Sequence, residues 1–441
     1  MVKKLLTRHF FISILIFTCF LCVFLPETRI SYYSQNYKKF NALIPHQSGT
    51  TPLWNFTTGD DVNSVAISSD GKYIVAGSKD NQTYLFNHSS SSSKTPKTPM
   101  WNYTTGDDVT SVGISSDIFY VIAGSNDNHT YLFNNVSDST PKWNYTMGDN
   151  VNTVAISSDG NYIIAVSSDN MISLLKNSSS TALWNYTFGD SIYSIAISSE
   201  STYIVVGCGD DKVYLFDDNS NNTLMEYQTS GDVRAVAISS DGNDFVAGSN
   251  DKEIYLFNRG WFGPVWRYKT GGEITSVAMT SDGNYIAAGC NDNKTYIFGK
   301  SSKTPIWTYA SGDSINSVAI SSDGNHILIG TNDNKSYLLI RSSKTSYLID
   351  ETEGIIKSVA ISSNGKYLAI GSEDNQVYLF YWTPPIAVVA EEEDEDLDID
   401  FGDEPIPFWI VLMIMLIIFA VIILISLIVN KKRKEPIKQE S

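Results

Sequence analysis

The sequence predicts an all-β chain: an eight-bladed β-propeller with four-stranded blades, followed by a C-terminal transmembrane helix. Three observations carry this reading. The stretch SVAISSDGKYIVAGSKDNQTYLFN at 64–87 returns seven more times, its central residue recurring at Val65, Val112, Val154, Ile195, Val236, Val277, Val318 and Val359. The last five steps are 41 residues, the step before them 42 and the first 47. A fixed period of this length marks one supersecondary unit stacked on its neighbours. Finally, 408–429 is an uncharged apolar run, long enough to cross a hydrocarbon core as a helix.

Each unit reads as three strands in register with its copies. SVAIS runs apolar, Asp-Gly turns the chain, YIVAGS follows, a second turn falls at Asp-Asn or Asp-Lys, and TYLF closes the unit. Asp-Gly between apolar runs is a strong hairpin signal; it stands at Asp70, Asp159, Asp241, Asp282 and Asp323, with Asn364-Gly365 a near match. A fourth, outer strand is LWNYT or a variant, around Trp54, Trp101, Trp143, Trp184, Tyr227, Trp266, Trp307 and Tyr347. Four antiparallel strands repeated radially make a propeller blade. The chain enters on an outer-strand sequence and leaves on a third strand near Phe380. The segment around Trp54 is therefore expected to complete the last blade and close the ring, removing open edges.

The remaining segments read as follows: 1–25 a signal peptide or signal anchor, 26–52 a linker, 53–383 the propeller, 384–407 an acidic stalk, 408–429 the membrane helix and 430–441 a basic tail. The start MVKKLLTRH precedes an apolar stretch at 10–25, which fits export with or without cleavage. KKRK at 431–434 places the tail on the cytoplasmic side and the propeller outside. The stalk holds ten carboxylates and no basic residue within 391–404; like charges at that density repel and extend the chain. The formal charge of -17 argues against nucleic acid as a partner, since that needs a basic footprint.

Of the four cysteines, Cys208 and Cys290 stand where Ser is usual, and are expected to be small buried residues rather than a disulfide. Asn-x-Ser/Thr sequons occur at Asn55, Asn81, Asn87, Asn102, Asn128, Asn135, Asn144, Asn177, Asn185, Asn221, Asn293 and Asn334. They fall on outer strands, on the second turn and on the loop before the outer strand, so a glycoprotein is expected.

The unit resembles a WD40 repeat, with VNSVAISSDG, YIVAGS, the turn Asp80 and LFN at 85–87 as counterparts. It is also similar to quinoprotein-type repeats, in the LWNYT strand and the Thr-Gly turn. The likeness covers about 52–383 and implies a propeller. Gly-Asp stands in most repeats where the WD40 pattern has Gly-His, and Phe or Leu where it has the Trp of Trp-Asp. Of that network only turn aspartates remain, at Asp80, Asp127, Asp169, Asp211, Asp251, Asp292, Asp333 and Asp374. The adjacent-cysteine disulfide that the second family implies beside its quinone is missing, so no cofactor is expected.

Candidate binding residues lie in the loops that should open on one mouth: Asp60, Asp107, Asp149, Asp190, Asp232, Glu273, Asp313 and Glu353. Such a ring would attract divalent or polycationic ligands. Alternatively, Asp in these turns caps local backbone amides, and the repetition in every blade favours that role. The loop containing Trp261 and Phe262 offers an apolar contact patch, though packing against a neighbouring blade is the expected role. No nucleophile elbow, phosphate loop or metal-ligand spacing is present. The expected function is a non-enzymatic cell-surface binding or scaffold protein whose partner is a protein or envelope polymer. A quinoprotein-type oxidoreductase and a passive envelope component are the alternatives.

Overall fold

The computed structural model describes residues 51–88, 97–134, 139–199 and 203–384. The segments at 1–25 and 385–441, nearly all of the linker, and Asn135 lie outside the described residues; no helix among the described residues is long and apolar enough to cross a membrane. The described residues form 32 strands in eight four-stranded antiparallel sheets. In the first blade these are Val62–Ile67 (inner), Tyr73–Ser78, Gln82–Asn87 and Trp101–Thr104 (outer).

Closure follows the phase of the repeat. The first strand, Trp54–Thr57, pairs antiparallel with the last, Gln376–Tyr381, with Trp54 opposite Leu379 and Thr57 opposite Gln376. It is the outer strand of the blade whose inner strand is Ile356–Ile361. The eighth blade thus joins the first and last strands of the propeller.

The core sits between blades rather than within them. Eight apolar clusters are present, each built from two neighbouring blades. The second strand of each blade is buried on both faces, as in the Ile74–Val75–Ala76 run at 0% exposure; this is why YIVAGS reads as a continuous apolar run and not as an alternation. Close approach also needs a missing side chain. A Cβ at Gly77 would stand 2.5 Å from the Val109 side chain of the next blade.

Every inner strand carries a bulge at its start, between Val62 and Ser64 in the first blade. Bulges aim side chains away from the ladder, and here the extra residue reaches the next blade: Asn63 Nδ2 donates to the Val109 carbonyl (2.9 Å) and Asn316 Nδ2 to that of Ile356 (3.1 Å). One residue on, a serine hydroxyl accepts from a neighbouring inner strand: Val112 N–H donates to Ser64 Oγ (3.2 Å), and Val65 N–H to Ser358 Oγ across the closure (3.1 Å). The recurrent Ser of SVAIS is therefore a stitch between blades.

Cys208 and Cys290 are free and buried. They take the place of the second-strand serine: Cys208 Sγ approaches the Asp190 carbonyl at 3.5 Å, where Ser78 Oγ donates to the Asp60 carbonyl at 2.9 Å. Burial, the largest influence, raises both thiols, Cys208 to about 12 and Cys290 to about 11, so both are unreactive near neutrality.

Candidate functional site: the acidic mouth

The loops between outer and inner strands and the second turns do open on one end of the ring. Lys79 N–H in the second turn donates to the Asp61 carbonyl of that loop (2.9 Å). There the turn aspartate forms a small network. Asp80 Oδ1 accepts from Gln82 N–H (3.0 Å), while Oδ2 accepts from Gly59 N–H (2.6 Å) and from the Tyr84 hydroxyl (2.5 Å). The same Tyr-to-Asp bond joins Tyr131 to Asp127, Tyr214 to Asp210, Tyr255 to Asp251, Tyr296 to Asp292 and Tyr378 to Asp374. Burial first, then these carboxylates, push the tyrosines well above their ordinary range. These tyrosine-bonded aspartates are latches on the second turn, and Asp80, Asp127, Asp251, Asp292 and Asp374 also accept a backbone N–H of the incoming loop, whereas Asp169 and Asp333 accept from Ser167 and Thr331 of their own turn. In the fourth blade the latch is Asp210, not Asp211. Asp211 sits at φ 65, the left-handed position that Asn81 fills in the first blade at φ 66.

The eight mouth carboxylates are not one ring. Asp60, Asp107, Asp149, Asp190 and Asp313 occupy one loop position, and each accepts through Oδ1 from the N–H of the residue after it, at 2.7–2.8 Å. Asp232 and Glu273 lie one residue further along, because Gly231 and Gly272 hold that position; Glu353 lies one earlier, in the place of Gly59. Asp232 pairs with Arg234 (3.0 Å) and accepts from Asn250 Nδ2 (3.2 Å), and Glu273 accepts from Asn291 Nδ2 (3.4 Å). Local capping accounts for the repetition. Among the described residues no group of three or more His, Cys, Asp or Glu side chains is arranged to hold a metal ion.

The charge is nonetheless one-sided. The mouth half carries 24 carboxylates and 9 Lys or Arg among the described residues; the opposite half, with the first turns and the loops before the outer strands, carries 9 and 10. Crowding shows in the carboxylates themselves. Asp108 is raised by burial and then by Asp107, and Asp211 by burial and then by Asp232, Asp210 and Asp251. The symmetry breaks near the axis at Tyr193, whose ring is covered by the Arg234 guanidinium at 3.9 Å. Both are bulge residues, at the position held by Asn63 in the first blade. Sequence reading missed them, and the departure from Asn or Thr at that register was the available signal.

The sequons divide by environment. Asn102, Asn144, Asn185 and Asn221 are exposed on outer strands or the loop before one. Asn81, Asn128, Asn293 and Asn334 are half-buried at φ between 65 and 70, a conformation Asn tolerates, so their recurrence has a backbone cause. Asn55, half-buried, donates to Gln376 Oε1 (3.0 Å), Asn177 to the Gly160 carbonyl (2.9 Å), and Asn87 ends a third strand.

Trp261 and Phe262 do not pack against a neighbouring blade. They are 67% and 105% exposed, on a loop whose frame is held from beneath: Arg259 lies over the Tyr203 ring at 3.9 Å, and Trp261 N–H donates to the Asn258 carbonyl (2.9 Å). Those backbone and Arg contacts satisfy the loop without the two rings.

The family model described as "WD domain, G-beta repeat" matches residues 50–87, 142–174, 184–217, 221–258, 264–298, 303–338 and 343–380, more than half of the chain. No curated protein matches. Among solved structures, Sqt1 from Chaetomium thermophilum is similar at 14% identity and a TM-score of 0.66, over 75% of this chain and 99% of that one. The same protein bound to the N-terminus of the ribosomal protein L10 is similar at 14% identity and a TM-score of 0.65, with the same coverage. At that identity the likeness is one of fold.

Proposed function

The chain belongs to the WD domain, G-beta repeat family, and on that basis we propose that it is a non-enzymatic scaffold holding a cationic protein partner at its acidic mouth. The one-sided charge of the ring carries this reading. A face with a large carboxylate excess raises the local concentration of basic ligands and speeds their encounter. Propellers of this family are generally protein-interaction scaffolds, and the similar Sqt1 fold has been captured with a ribosomal-protein N-terminus. The apolar run at 408–429 and the KKRK that follows it support a single-pass anchor with the propeller outside the cell and the tail within. Exposed sequons on the rim are compatible with that side.

The test is cross-linking and capture of the tagged full chain from native cells, with and without a calcium chelator. A parallel capture uses the variant Asp60→Asn, Asp107→Asn, Asp149→Asn, Asp190→Asn. One stoichiometric basic partner, lost with the variant, is the expected result; loss on chelation as well would assign a metal bridge at the mouth. Equal recovery by the neutralised variant would move the site elsewhere. Recovery of bulk envelope material alone would leave a structural surface component.

A further inference from the structure

The end of the ring opposite the mouth holds the Trp261–Phe262 loop, and we infer that this loop, with Lys303 and Lys344, seats the propeller on a lipid surface. The inference rests on the membrane-anchored reading above and adds which face turns toward the bilayer.

Four observations converge. The two rings are the most exposed large apolar side chains of the described residues, on a loop closed by Gly263 at φ 137, so they project without distorting the blade. The equivalent residues of the next two blades are Ser302–Lys303 and Ser343–Lys344. Both lysines are exposed, and among the described residues neither makes an ion pair. Three consecutive blades thus present Trp-Phe, Lys and Lys at one register. Aromatic rings with one apolar body settle at the headgroup level, and lysines beside them meet anionic lipid.

Chain direction supplies the third observation. Trp382 N–H donates to the Lys366 carbonyl beside the first turn of the eighth blade (2.7 Å). The chain therefore leaves the ring at the same end as the Trp261 loop, and it also enters there, at Leu53 before the outer strand Trp54–Thr57. Residues 384–407 lead from that end to the apolar run; extended, they reach at most about 80 Å, so contact is permitted and needs its own adhesion. The fourth observation is charge: this half carries no net carboxylate excess, whereas the mouth does. An anionic bilayer repels the mouth and accepts this end.

The experiment uses the full chain reconstituted in vesicles of equal parts phosphatidylcholine and phosphatidylglycerol. Phe262→Cys is labelled with an environment-sensitive fluorophore on a Cys19→Ser, Cys22→Ser background, leaving the buried cysteines in place. Ser230→Cys, at the mouth, is the comparison. The expected result is a blue-shifted emission at 262 that brominated lipid quenches, and no such change at 230. A 262 label indifferent to brominated lipid, in protein that floats with the vesicles, overturns the seating and leaves the anchor intact. Failure to float overturns both. The unlabelled variant Trp261→Ser, Phe262→Lys copies the sequence of the next blade and should melt as the parent does. It should also expose the propeller face to a water-soluble lysine-modifying reagent, several-fold faster at Lys303; equal protection in parent and variant would overturn the role of the rings.

Discussion

A ring of interblade pairs at the exit end shows how single side chains hold this repeat together. In five blades the residue after the third strand, His88, Asp218, Arg259, Lys300 or Arg341, reaches the first residue of the second strand in the blade before it. Arg341 covers Tyr285 at 3.6 Å, His88 stacks on Tyr367 at 4.5 Å, and the Tyr162 hydroxyl donates to Asp218 (2.9 Å). Where that Tyr is replaced by Asp244, the partner is Lys300, at 2.5 Å from a carboxylate 2% exposed. Lys300→Met would leave a buried charge unpaired and cost about 3–5 kcal/mol. Lys79→Met, at a pair whose carboxylate Asp61 is more open to water than Asp244, should cost at most about 1 kcal/mol. Asp244→Tyr with Lys300→Arg installs the pair used at Tyr203 and Arg259 and should recover most of the loss; urea midpoints of the variants check all three. His326 occupies the same register, half-buried, and that burial holds its imidazole below the ordinary value of 6.5 despite the opposing pull of Asp323. His88 is lowered by burial too. A depressed folded value means the neutral form is favoured, so this stability is present above about pH 6.5 and is lost as pH falls through the folded values. His326→Tyr, the residue found at this register in six blades, should weaken the fall in melting temperature between about pH 6.5 and 5. An unchanged pH profile would remove His326 as a cause.

Strands and turns were the most readable layer of the sequence, and the reason is physical. Period, turn dipeptides and the run of buried residues all report on backbone geometry, which the blades share. The closure by Trp54–Thr57 followed from phase alone. What stayed hidden depended on single insertions or on which way a side chain turns. Two successive aspartates, Asp210 and Asp211, could not be told apart until φ separated latch from turn. The exchange of Gly-Asp for Gly-Gly-Glu at 271–273 shifts a mouth carboxylate by one residue without disturbing the period. The latch tyrosine, four residues after its aspartate, was legible in principle, and only its hydroxyl contact gave it meaning. The second blade tests how far turn chemistry governs stability. Its first turn has Ile118 at φ 63, where five other blades place Gly and the eighth Gly365 at φ 72 or thereabouts. A β-branched residue in the left-handed region costs roughly 1–2 kcal/mol. Ile118→Gly should therefore stabilise the chain by about 1 kcal/mol, seen as a higher urea midpoint with unchanged slope. A lower midpoint would show that Ile118 packs better than its backbone suggests.

Taken as a ring, the molecule is symmetric in backbone and polar in charge, and these two properties have different consequences for binding. The mouth loops repeat closely related surfaces around the ring, so a partner drawn by the field alone would bind weakly and in several registers. Specificity has to come from the breaks, and the mouth has one near its axis, where Arg234 covers Tyr193 and pairs with Asp232. If the mouth is the binding face, charge and the break should separate in experiment. Neutralising Asp60, Asp107, Asp149 and Asp190 should slow association and flatten its salt dependence, because long-range attraction sets the encounter rate. Tyr193→Ala, which removes the ring beneath Arg234, should instead raise the dissociation rate by roughly tenfold and leave the salt dependence alone, since contact residues act mainly on dissociation. Surface plasmon resonance on the captured partner at low and high salt reads both rates. Association that ignores the four neutralised aspartates would remove the mouth from the binding mechanism. A Tyr193→Ala variant that changes only association would make the break a further part of the field rather than a contact.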